Sequence, residues 1–226
     1  MIRLLAAILR TLGRILLGAI LWLLLVQVAV RLVRRYLHFP VPAFVAARLN
    51  NPIRRALQPP EQVVEASGIR PGMTVLELGP GPGTFTLEAA RRVGPDGRVI
   101  AVDVEARMIS ILQRAVAAAE LSNVEAHVAD AYRLPVPDAS VDLAFMVTVL
   151  AEIPDRQRAL AELKRVLKPE GNLSVTEAVF DPDYPRASTV TRWCEEAGFR
   201  LVDRTMRGLW YTLQFRAEGE QAGATG

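Results

Sequence analysis

Residues 75–86, VLELGPGPGTFT, constrain the chain more than any other stretch. A short β-prone apolar run, Val75, Leu76 and Leu78, carries the carboxylate Glu77 just ahead of three glycines at alternate positions, Gly79, Gly81 and Gly83. Thr84 then opens a helix-like segment, so the pattern predicts strand, tight turn, helix. Glycine accepts positive φ and lets a ligand lie against bare main chain. Pro80 and Pro82 have fixed φ and stiffen the loop. The helix start behind it presents N–H groups with no intrahelical partner. A turn that only joins a strand to a helix would need the same glycines, so the carboxylates further along must decide between the two.

Those carboxylates arrive in order. After the turn Gly94-Pro95-Asp96-Gly97, a second strand is expected over Arg98 to Val102, ending at Asp103. A carboxylate at a strand end accepts two hydroxyl hydrogen bonds, which is what a ribose requires. A helix is expected over Ala106 to Glu120 and a third strand over Val124 to Ala129, leading to Asp130-Ala131. Asp142 opens a fourth strand, and Asp155 to Leu167 reads as an amphipathic helix. A fifth strand covers Leu173 to Ala178, with a turn in Lys168-Pro169-Glu170-Gly171-Asn172 before it. Ser188 to Ala197 is expected as a helix, Gly198-Phe199 begins a sixth strand, and Leu209 to Arg216 alternates like a final one.

Glu77-Leu78-Gly79-Pro80-Gly81-Pro82-Gly83 resembles the E/D-x-G-x-G-x-G signature of class I S-adenosylmethionine (SAM)-dependent methyltransferases. The rival, a dinucleotide-binding G-x-G-x-x-G turn, would place its third glycine where Thr84 stands, and Asp103 comes later than its ribose-binding acid should. Leu134 to Asp142 and Leu167 to Leu173 also resemble stretches common in the methyltransferases, with Glu170 at a usual glycine. The resemblance covers residues 61–216. It implies an α/β, Rossmann-like, seven-stranded and mostly parallel sheet with flanking helices, and the ligand at the strand carboxyl ends, as open α/β sheets require. It implies SAM as cofactor, held by Glu77, Gly79, Gly81, Gly83, the ribose-binding Asp103, and Asp130-Ala131 at the adenine amine. Met108 stands where the family packs the adenine, or is ordinary helix core. Where many relatives carry a His pair or an Asn, this chain has Leu150-Ala151-Glu152-Ile153-Pro154. Glu152 is the ionisable group there: a candidate to take a proton from the acceptor or hold a cationic amine, or a solvent-facing carboxylate.

The N-terminal part has another character. Residues 1–60 hold nine arginines and no acid, whereas the remainder holds eighteen basic and twenty-four acidic residues. Residues 1–37 are expected to form a hydrophobic helix that anchors the chain to a membrane. Their uncharged core, ILLGAILWLLLVQVAV, would run about 24 Å as a helix, short of the ~30 Å hydrocarbon layer unless flanking arginines snorkel. Arginines lie on both sides of it, which leaves spanning and monotopic attachment open. An apolar basic arm suits an anionic lipid surface better than nucleic acid. SAM is a cytosolic metabolite, so the domain is expected on the cytoplasmic face of the cell membrane. Residues 38–60, rich in proline, form a connector or a lid, and 217–226 a disordered tail. Cys194 is single and His38 and His127 are isolated, so neither a disulfide nor a metal is expected. The reading is thus a membrane-associated SAM-dependent methyltransferase acting on a lipophilic acceptor, a phospholipid amine or an isoprenoid quinone precursor, and possible as a homo-oligomer. The alternative is a SAM-binding scaffold or assembly factor without turnover.

Overall fold

The structure, a computed structural model, describes residues 52–218 and scattered helical positions between 11 and 26. The chain divides into two compact units, residues 1–39 and 40–226. In the first, Leu17, Leu21, Trp22 and Leu25 occupy helical positions and are 58, 53, 65 and 67% exposed. Among the described residues, no helix is long and apolar enough to cross a membrane. The rest of the expected anchor over 1–37, residues 38–51 of the connector and residues 219–226 lie outside the described residues.

In the second unit two short helices, α1 (Pro52–Leu57) and α2 (Pro60–Ala66), precede the sheet. There follow β1 (Thr74–Leu78), α3 (Thr84–Val93), β2 (Arg98–Asp103), α4 (Ala106–Ala118), β3 (Val124–Val128) and β4 (Val141–Val147). A 3-10 turn at Leu150–Glu152, α5 (Arg156–Val166), β5 (Leu167–Ala178), α6 (Ala187–Glu196), β6 (Phe199–Arg207) and β7 (Trp210–Ala217) complete it. The seven strands lie in the order β3-β2-β1-β4-β5-β7-β6. The first five run parallel, and β7 is antiparallel to both its neighbours. This is the expected Rossmann-like sheet with flanking helices.

The central strands are apolar on both faces because helices cover both. Side chains alternate across the sheet: Leu76 and Leu78 join one cluster with Val102, Met146, Leu160 and Leu163. Val75 joins the other with Phe85, Ala89, Val93 and Phe145. Each fully buried Leu, Val or Phe side chain contributes roughly 1.5–3 kcal/mol.

Two elements differ from expectation. The fifth strand starts at Leu167, not Leu173, because Leu167 pairs with Val141 before the register jumps to Leu143 opposite Asn172. The segment read as a turn is a bulge inside β5, where Pro169 has no N–H to give the ladder. Lys168 anchors it through an ion pair with Asp142 (2.6 Å), whose other oxygen accepts from the Thr74 N–H (2.8 Å). At the other end, Ala217 still belongs to β7, and the Glu218 N–H donates to Gly198 O (2.9 Å).

Candidate active site at the strand carboxyl ends

β1 and β4 are neighbours, while β1 continues outward to β2 and β4 to β5. The strand order reverses at this pair, and connections leaving it part to opposite sides and open a crevice. The glycine loop fills one wall. The Gly79 N–H donates to Val102 O (2.8 Å) and the Gly83 N–H to Pro80 O (3.0 Å), which binds the loop to the tip of β2 and folds it back before α3.

The three glycines do different work. A side chain on Gly79 would strike Val149 Cγ2 at 2.6 Å, and one on Gly83 would strike Leu112 Cδ1 at 2.6 Å. Both positions are small because packing demands it. Gly81 has a φ of 53°, and a Cβ there would meet nothing within 4 Å. Its bare main chain faces open space, which is the approach surface a nucleotide needs.

Glu77 is fully buried at the end of β1, and its Oε2 has no hydrogen-bond partner. Burial pushes its carboxyl up to about 8; the nearby Thr86 hydroxyl opposes the shift and Asp103 adds to it. An orphaned buried oxygen is unfavourable by about 1–3 kcal/mol, so it is poised for a ligand donor. Asp103 at the tip of β2 is half-buried, and Oδ1 accepts from the Glu105 N–H (2.9 Å). Burial raises its pKa, the Glu105 main-chain N–H holds it down, and the N–H groups of Gly81 and Val104 also favour the charged form. The acid and the open glycine therefore meet. Asp130, one strand further along, is exposed and closes a turn by accepting from the Tyr132 N–H (2.8 Å). Ala131 packs on the core, and Met108 is 4% exposed on the first turn of α4. These residues fit a nucleoside held across the loop: an open glycine, an unpartnered buried carboxyl and acids on successive strand tips. Glu152 sits, exposed, on the 3-10 turn after β4.

The structure adds three residues that sequence reasoning did not single out. Arg54 of α1 reaches across to donate to Thr148 Oγ1 (3.3 Å), and its guanidinium lies 6.0 Å from the ring centres of Phe85 and Phe180. Burial lowers its pKa, while Asp181 and Glu152 raise it. The connector thus places a guanidinium near Asp181 and Glu152. Thr148 itself has a φ of 56°, a strained conformation for a β-branched residue and one that gathers at functional sites. Glu177 is 1% exposed near the end of β5, with Oε1 unpartnered and a carboxyl held well above the usual range by burial and by Asp181, Glu152 and Asp183. An acid at the carboxyl end of β5, where open α/β sheets hold their ligands, was the available signal for Glu177. Nothing local marks Arg54 or Thr148.

A cavity of about 700 Å³ lies elsewhere, lined by Arg70, Arg92, Asp142, Lys168 and Gln214 among others. It opens at the amino ends of β1 and β4, the wrong end of a parallel sheet for this chemistry.

Fold and site together resemble those of SAM-dependent methyltransferases. Residues 75–171 match the family model described as a methyltransferase domain. A curated arsenite methyltransferase from Halobacterium salinarum is 36% identical over 155 residues, covering 61% of this chain and 40% of its own length. A ubiquinone/menaquinone biosynthesis C-methyltransferase UbiE from Teredinibacter turnerae is 39% identical over 115 residues, covering 50% of this chain and 46% of that one. The chain thus spans less than half the length of these curated relatives. Among solved structures, a SAM-dependent methyltransferase from Aquifex aeolicus superposes with a TM-score of 0.74 at 29% identity, over 78% of this chain and 98% of that one. SAM is the cofactor this domain is built to hold.

Proposed function

We propose that the chain transfers a methyl group from SAM to a lipophilic acceptor at a membrane surface, with the domain on the cytoplasmic side. The observation that carries this is a methyltransferase domain joined to an apolar, acid-free, arginine-rich N-terminal stretch. The exposed leucines and Trp22 at helical positions support it, since such surface is buried most favourably in lipid. When bound, SAM supplies an electrophilic methyl group on a sulfonium. Glu77, Gly79, Gly81, Gly83, Asp103, Met108 and the Asp130-Ala131 turn bind and orient it. The leaving sulfide is neutral, so the chain's part is alignment and exclusion of water. Glu152 takes a proton from the acceptor or holds its charge.

The UbiE relatives favour an isoprenoid quinone precursor over a phospholipid amine as acceptor. Arsenite is less well supported: it is a soft, thiol-seeking species, and Cys194 is single, fully buried and has its thiol pushed up by burial. Incubating the chain with labelled SAM and host membranes tests the reading. Label in the lipid extract is expected, and label confined to water-soluble products rejects it.

A second reading is a SAM-binding scaffold without turnover. A [4+2]-cyclase, SpnF, superposes with a TM-score of 0.61 at 21% identity, so the fold alone does not fix the chemistry. Calorimetric SAM binding with no methyl transfer to any cellular fraction would favour it.

A further inference from the structure

We propose that Glu152, Asp181 and Asp183, with the buried Glu177 beside them, form a site for one hard divalent cation of the magnesium, manganese or calcium kind. One carboxylate oxygen from each of Glu152, Asp181 and Asp183 lies within 4.8 Å of the others. Oxygen ligands bind such ions at roughly 2.0–2.6 Å, so donors on opposite sides of one ion stand about 4–5 Å apart. The three oxygens therefore fit a single ion.

The chain builds this grouping from two loops. Glu152 comes from the 3-10 turn after β4. Asp181 and Asp183 come from the loop after β5, where Asp181 Oδ1 accepts from the Asp183 N–H (2.9 Å) and turns both acids together.

Glu177 is the independent observation. It is 1% exposed, its Oε1 has no hydrogen-bond partner, and the charges of Asp181, Glu152 and Asp183 all bear on it. An oxygen left over on a buried carboxyl beside three other acids is a place for a positive centre. Arg54 supplies one such charge near Asp181 and Glu152. The site does not require these acids to lack other partners, because a carboxylate has two oxygens with several acceptor positions and the ion needs one from each. An all-oxygen donor set selects magnesium, manganese or calcium over zinc, which prefers nitrogen and sulfur. The expectation that no metal binds rested on cysteine and histidine, and so was silent about oxygen ligands. An ion here favours an acceptor that offers it an oxygen, and lowers the pKa of a hydroxyl it binds.

The test uses the whole 226-residue chain in detergent, stripped with chelator and titrated with Mn²⁺ alone. Free Mn²⁺ is read by electron paramagnetic resonance. One Mn²⁺ per chain is expected, displaced by Mg²⁺ or Ca²⁺ and weakened at least tenfold in Asp181→Asn and Glu177→Gln. Glu152→Gln, on an exposed turn, should show the same loss with an unchanged circular dichroism spectrum, and it decides the matter if the other two do not fold. No uptake by the parent chain, or equal uptake by Glu152→Gln, overturns the proposal. SAM affinity measured on the same samples stands apart from either result.

Discussion

Single side chains at the crevice carry opposed demands of stability and binding, and Glu77 shows this most clearly. The folded chain keeps its proton up to about pH 8, whereas the ordinary value is 4.5. Between these two values the folded state binds the extra proton, so folding stability falls as pH rises through that window and levels off above it. Glu77→Gln removes the dependence. Its unfolding free energy in a denaturant titration should match the parent near pH 5 and exceed it at pH 8, by a difference approaching a few kcal/mol at ~1.4 kcal/mol per pKa unit; an equal difference at both pH values would contradict this. The same variant should bind SAM more weakly. Asp103→Ala removes a hydroxyl acceptor at the tip of β2 and is expected to weaken SAM by about 1.5–3 kcal/mol in calorimetry. Gly81→Val fills space that no protein atom occupies and forces a valine to a φ of 53°. SAM binding should disappear while far-ultraviolet circular dichroism still reports a folded domain.

Among the elements, the legible ones were those with a strong local pattern. The glycine loop, the acids closing β1 and β2 and the succession of strands and helices could be read from apolar runs and turn residues, whereas the mostly parallel sheet was implied by the family resemblance. The bulge in β5 could not, because Lys168-Pro169-Glu170-Gly171 has the composition of a free turn, and its pairing with Asp142 is decided 26 residues away. Helix α1 is hidden for a similar reason. PIRRAL sits between prolines and looks like a spacer, yet its arginine reaches Thr148, 94 positions on. The roles given to Asp130, Ala131 and Met108 came from family resemblance, and their placement here is on a turn, on the core and inside a helix. Arg54→Ala should loosen α1 from the domain. Limited proteolysis before residue 58 is then expected to quicken relative to the parent, with the sheet's own protection unchanged.

At the scale of the whole molecule, charge separates two regions that serve one task in our reading. A chain lacking residues 1–37 should keep its SAM affinity and lose most of its sedimentation with anionic vesicles; retained sedimentation would place the lipid contact elsewhere. The strand order also governs how the molecule comes into being. Among the described residues β6 pairs with β7 alone, and β7 lies between β5 and β6 while following both along the chain. A nascent polypeptide emerges at about 5–20 residues per second, amino end first. The sheet therefore stands unfinished on the ribosome until its last strand slides into the gap, long after the arginine-rich stretch has left the exit tunnel. Assembly of the sheet is a closing event, completed by the strand synthesised after all its neighbours.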